Sequence, residues 1–158
     1  MRIDAHQHYW RFDPVRDQWI TPEMAVLRRD FLPGDAAPLL AAAQIDGVVA
    51  VQADQSEAET DFLLTLAAQH NFIRGVVGWV DLRATDLADR LARWRGQRTL
   101  KGFRHIAQGE PDDFLARNDV VAGINLLGKH GYSYDILIYP RQLAAAEALV
   151  ARCPEVRF

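Results

Sequence analysis

A single cysteine, Cys153, among 158 residues leaves no partner for an internal disulfide, so the fold rests on burial and hydrogen bonding. It stands before Pro154 at the end of a helical pattern and reads as a buried, inert thiol rather than a nucleophile. Excess positive charge is also lacking. Lys and Arg number 18 against 21 Asp and Glu, a formal net charge of -3, which excludes the electrostatic footprint of a nucleic-acid binder. No apolar run approaches the roughly 18 residues of a membrane span. No basic segment followed by an apolar stretch marks a secretory leader. These absences predict a reducing, cytoplasmic setting with neither membrane nor nucleic acid as partner.

What is present is ordinary globular composition, 49% hydrophobic and 25% charged, in a chain long enough for one domain with a sizeable core. Short β-branched runs alternate with helical repeats. Strands are predicted near Arg2–Ala5, Gly47–Gln52, Ile73–Val80, Leu100–Arg104 and Tyr134–Tyr139, with Val156–Phe158 starting another. Between them fall helices from Asp35 to about Gln44, from Ser56 to about His70, around Asp86–Arg95, around Asp112–Lys129, and over Arg141–Arg152. Ser56 with Glu59 three residues on has the capping-box spacing. Leu87, Leu91 and Trp94 fall on one helical face. Parallel strands need crossovers, and helices supply them, so this order predicts a parallel α/β sheet.

Two parallel architectures compete. A doubly wound nucleotide-binding sheet needs a glycine-rich turn after its first strand, and Asp4-Ala5-His6-Gln7-His8 stands there instead. A TIM (β/α)8 barrel takes roughly 250 residues. Residues 1–158 are then expected to be one barrel domain, incomplete at its C-terminus: five βα units plus the start of strand six.

In either architecture chemistry collects at the carboxyl ends of the strands. His6 and His8 end the first strand; at that spacing both imidazoles point into one space and supply half of a usual metal shell. Asp4 and Gln7 are expected on the opposite face in structural roles. The pair can equally be strand-end residues that satisfy backbone groups. Gln52, Asp54 and Gln55 end the second strand, Trp79 and Asp81 the third, Arg104, His105 and Gln108 the fourth, Tyr139 the fifth. Arg104 carries a fixed charge suited to a carboxylate or polarised carbonyl oxygen, and His105 is a ligand, donor or proton relay. An ion pair with a packed histidine is the plainer alternative. His70 and His130 follow helices and are explained by placement at helix C-termini. The long stretch from Tyr9 to Pro33 holds Trp10, Phe12, Trp19 and Phe31, which line a pocket, anchor the loop, or both. Glu57 and Glu59 stand near the mouth or in solvent.

Four segments in order resemble one branch of the amidohydrolase superfamily, the sugar-acid lactonases: Asp4-Ala5-His6-Gln7-His8-Tyr9-Trp10, Gln52-Ala53, Gly75–Leu82 and Leu100–Gln108. The resemblance covers Arg2 to Phe158. It implies a (β/α)8 barrel that opens a cyclic ester by water attack on the ring carbonyl, with an aspartate as general base. By match, His6 and His8 are the metal pair, for a divalent ion such as zinc that this branch does not always require. Arg104 and His105 are the catalytic residues of this chain; Trp10, Gln52, Trp79 and Gln108 bind substrate, a small sugar lactone. The family's strand-six Asp-His segment and strand-eight aspartate have no counterpart before Phe158, so the general base is expected outside these residues and the chain alone is expected to be inactive. Open edges at strands one and six make oligomerisation an expectation. A related decarboxylase or amide hydrolase is the alternative enzymatic reading, and a half-barrel binding module the non-enzymatic one.

Overall fold

The alternation of apolar runs and helical repeats takes the anticipated order in a computed structural model that describes Met1–Phe158. Strands β1 (Ile3–Gln7), β2 (Gly47–Val51), β3 (Ile73–Gly78), β4 (Leu100–Ile106) and β5 (Ser133–Leu137) form one sheet in sequential order, every neighbouring pair parallel. Helices α1 (Pro33–Ala42), α2 (Glu57–Gln69), α3 (Leu87–Ala92) and α4 (Asn118–Lys129) make the crossovers, and α5 (Leu143–Arg152) follows β5. Their apolar stripes meet one face of the sheet: Val48, Val76 and Phe103 from strands, Leu63, Leu91, Ile124, Leu127 and Leu149 from helices are all buried in one cluster.

Sheet curvature can be read from a single contact. Adjacent strands lie about 4.8 Å apart, so β1 and β4 would stand about 14 Å apart in a flat sheet. Yet Arg104 Nη1 of β4 lies 3.2 Å from His6 Nε2 of β1. The sheet therefore bends around the face opposite the helices, as a barrel wall does.

Side-chain direction in β1 depends on a register shift. Asp4 pairs with Val48 and Gln7 with Ala50, so three residues of β1 span two of β2. That extra residue turns both Asp4 and Gln7 toward α1, where they line one groove, and leaves His6 on the concave side. At the next crossover Ser56 caps α2 by accepting the Glu59 N–H at 3.2 Å. Thr60 then donates to the Trp79 carbonyl and accepts the Trp79 N–H, both at 2.8 Å, which ties α2 to the end of β3.

Several boundaries differ from the sequence reading. Asp35 does not open α1: Pro33 does, and Asp35 accepts the Leu32 N–H from the third helical position at 2.9 Å. The helix expected from Asp112 is split into a 3-10 turn, Phe114–Ala116, and α4, because Arg117 takes extended backbone angles between them. Residues 156–158 form no strand; their share in the sheet is one hydrogen bond, Tyr134 N–H to the Arg157 carbonyl at 2.9 Å. The loop from Tyr9 to Pro33 is less irregular than expected. It carries a 3-10 helix, Pro22–Leu27, and Trp10 and Phe31 exchange a pair of backbone hydrogen bonds, each 3.0 Å, that close its base. His70 and His130 stand at the C-caps of α2 and α4, and Cys153 is fully buried beneath α4 with its thiol pushed up by desolvation. No helix is long and apolar enough to cross a membrane.

Gly123 marks where α4 packs tightest, since a Cβ there would collide with the Leu82 carbonyl. Gly123→Ala is expected to destabilise the fold by roughly 1–3 kcal/mol through overpacking. A lowered urea midpoint at unchanged slope would show it. Gly34, with nothing nearby, should tolerate alanine within about 0.5 kcal/mol.

Candidate active site

The curl of the sheet gathers His6, His8, Gln52 and Arg104 at the carboxyl ends of β1, β2 and β4. Arg104 is the centre of this group. Its side chain is only 6% exposed, and a buried cation requires partners. Gln52, fully buried, supplies two: its carbonyl and its Oε1 accept from Arg104 Nη2 at 2.6 and 2.7 Å, while its Nε2 donates to the Arg104 carbonyl at 3.4 Å. Gln52 therefore holds the arginine in place from beneath. Arg104 Nε has no partner and is buried.

The two histidines have assignable tautomers. His8 Nδ1 lies 2.9 Å from the Val51 carbonyl, which can only accept, so that nitrogen carries the proton and Nε2 a lone pair. Arg104 Nη1 donates toward His6 Nε2, which then also presents a lone pair. The two Nε2 atoms face one another at 3.1 Å. Burial first, then the Arg104 charge, lowers the His6 pKa from 6.5. His8 is lowered too, chiefly by burial, against the opposing Val51 hydrogen bond. Both rings are thus neutral at pH 7, with their Nε2 lone pairs directed into one space and the His6 lone pair already engaged by the Arg104 guanidinium.

That geometry fits two positions of a zinc shell. Zn–N bonds of about 2.0–2.1 Å at a near-tetrahedral angle put two nitrogens roughly 3.3 Å apart. The Val51 carbonyl plays the part of the acceptor that usually orients a metal-bound imidazole. No third His, Cys, Asp or Glu joins the pair to make a group of three, and the Arg104 guanidinium adds positive charge beside it.

Asp135, which the sequence reading passed over, lies in register with Arg104 on β5 and so shares its concave face. Burial raises its pKa, with Arg104 and His6 pulling the other way. Its signal in the sequence was an acid inside an otherwise apolar strand. The other predicted residues divide. Trp10, His8, Arg104 and Gln108 line a cleft of about 810 Å³ together with Arg16, Trp19, Asp54, Gln55 and Glu59. Gln55 also accepts the Ile106 N–H at 2.7 Å, which fixes the end of β4. Tyr139 reaches the same cleft, and the buried Gln142 beside it binds the Tyr139 N–H and the Ala107 carbonyl, joining the loops after β4 and β5.

His105 and Trp79 are not brought into that cleft. Neighbours in a strand face opposite sides, so His105 leaves Arg104 and enters the helical layer. There it is 7% exposed and stacks on Phe114 with centroids 4.8 Å apart. Its Nδ1 accepts from Trp79 Nε1 at 3.2 Å, and its Nε2 donates to Glu110 Oε1 at 2.9 Å. This places both side chains behind the site, where they brace the loop after β4. Treating Arg104-His105 as one functional pair overlooked strand alternation.

Depressed histidine pKa values have a consequence for stability. As pH falls below 6.5, histidines of the unfolded chain take up protons that folded His6 and His8 resist, so stability present above that pH is lost progressively toward acid. His8→Gln should flatten this acid-side slope in urea midpoints measured from pH 7.5 to 5. An unchanged slope would count against buried, neutral rings.

Residues 3–158 match the Amidohydrolase family model. The chain is 45% identical over 154 residues to an L-fucono-1,5-lactonase of Burkholderia multivorans, covering 96% of this chain and 52% of that protein. To an L-fucono-1,5-lactonase of Burkholderia ambifaria it is 34% identical over 157 residues, covering 99% and 54%. It thus spans about half the length of these relatives. A crystal structure of an amidohydrolase from Burkholderia multivorans with bound zinc superposes with a TM-score of 0.92 at 44% identity, over 98% of this chain and 55% of that one. A Bifidobacterium longum amidohydrolase, at 20% identity and a TM-score of 0.70, shares the fold. The curled sheet and its match along nearly the whole sequence have one conclusion: the chain belongs to the amidohydrolase family.

Proposed function

We propose that these residues form the carbonyl-binding side of a site that hydrolyses a sugar-acid lactone such as L-fucono-1,5-lactone. The observation that carries this reading is the buried Arg104, fixed by Gln52 beside two neutral imidazoles at the strand ends. Similarity to two L-fucono-1,5-lactonases supports the substrate class.

Ester hydrolysis develops negative charge on the carbonyl oxygen, and preorganised donors in a water-poor site stabilise it most. Arg104 brings a charge already held in place, with its Nε–H still without a partner. His6 and His8 would hold a divalent ion, which when bound polarises a carbonyl oxygen or lowers the pKa of water. The ion's further ligands and the general base that deprotonates water are assigned to residues outside this chain. The cleft beside Arg104 takes the sugar. Trp79 and His105 serve as positioning residues behind it.

Two measurements test this reading. Calorimetric binding of L-fucono-1,5-lactone should respond to Arg104→Lys, which keeps the charge but loses the fork that Gln52 holds. A loss of binding of roughly tenfold is expected. No binding of any aldonolactone, with binding of an amide or β-keto acid instead, would replace the lactone reading with its rival. For the metal, zinc titrated into the apo chain should bind with proton release. His6→Gln or His8→Gln should weaken it roughly 10- to 100-fold. Equal affinity in the variants would remove the histidine pair from the site.

A further inference from the structure

The cleft beside Arg104 has a second polar wall that the carbonyl chemistry does not use. Glu59, in the first turn of α2, is 5% exposed yet lines the cleft. Its Oε1 accepts the Ala53 N–H at 3.0 Å. Burial raises its pKa against the pull of backbone donors and of Arg16. Asp54 stands beside it, fixed by the Ser56 hydroxyl at 2.6 Å. Across from α2 the long loop brings Arg16, locked to Asp17 through Nε at 2.7 Å and Nη2 at 2.8 Å, with Asp17 itself 7% exposed. Trp10 and Trp19 add two aromatic faces.

One donor among the residues of this second wall is buried without a partner, Trp10 Nε1. A buried donor left unpaired is costly. A wall with acceptors (Glu59, Asp54), donors (Arg16, Trp10) and flat apolar surface (Trp19) matches a ring that carries hydroxyls on its edge and C–H groups on its faces. We infer that Glu59, Asp54 and Arg16, backed by Trp10 and Trp19, form a hydroxyl-reading subsite that binds the polyol part of the substrate, apart from the Arg104 group that binds its carbonyl.

This inference rests on the lactone reading, and three probes separate the two. L-fucono-1,5-lactone carries carbonyl and hydroxyls, δ-valerolactone only the ring ester, and L-fucitol only the hydroxyls. Glu59→Gln retains an acceptor for the Ala53 N–H. It should weaken calorimetric binding of L-fucono-1,5-lactone and L-fucitol by about tenfold, the loss expected for a charge-assisted hydrogen bond, and leave δ-valerolactone within twofold. Arg104→Lys should weaken both lactones and spare L-fucitol. If Glu59→Gln lowers the thermal midpoint and cannot be compared, Trp19→Ala replaces it, because Trp19 is 58% exposed and can be removed without disturbing the core. It should weaken L-fucitol and spare δ-valerolactone. Unchanged L-fucitol binding in both variants, equal loss of all three probes, or no binding of L-fucitol by the wild-type chain overturns the subsite. Binding of L-fucitol that depends on Glu59, without binding or opening of any lactone, retains the subsite and rejects the lactonase reading.

Discussion

A guanidinium enclosed by protein has to be compensated, and around Arg104 the rest of the structure is arranged to do so at both of its terminal nitrogens. Its charge cannot be neutralised by proton loss, unlike that of a buried lysine. Gln52 contributes both its main-chain and side-chain oxygens, which requires β2 to end two strands away at the correct height. His6 contributes a lone pair, which requires β1 to curve over the concave face. Asp135 supplies long-range negative charge from β5. Sheet curvature, strand length and the tautomer of His6 are therefore linked through one cation.

The same link explains how a carbonyl-binding group arises on a scaffold whose helices and outer strand face are conventional packing. The helix side of the sheet is an apolar cluster, with a close approach at Gly123. The concave side carries the polar residues. A residue is committed to one side or the other by strand parity, and in β1 by the register shift as well. This is why Arg104 faces the cleft and its neighbour His105 is sealed behind it with Trp79, Phe114 and Glu110.

Much of this could be read from the residues themselves. β-Branched runs at Gly47–Val51 and Ile73–Gly78, and the repeat of Leu87, Leu91 and Trp94, specify buried strands and a buried face by local pattern; all three of those residues are buried, although α3 ends at Ala92 and Trp94 lies in the turn after it. His6 and His8 were visible because their spacing is a local property. Arg16, Asp17 and Asp135 were not visible, because what matters about them is proximity across the fold: a loop folding back, or a register partner on another strand. Glu59 was legible as a capping position, while its burial in a cleft depends on the loop opposite. The helix break at Arg117 also escaped detection, since no proline or glycine stands there to announce it.

The extra residue in β1 reaches beyond side-chain direction. Where three residues span two, part of the strand is released from the ladder, and its backbone is no longer held to the fixed repeat of its neighbour. His6 is therefore held by other bonds than the ladder's: its N–H donates to Asp4 Oδ1 at 3.0 Å and its Nε2 accepts from Arg104 at 3.2 Å, while His8 is anchored to the Val51 carbonyl. The two imidazoles thus hang from different strands, one from β4 through the guanidinium and the other from β2, so the span between them is set by the spacing of those strand ends.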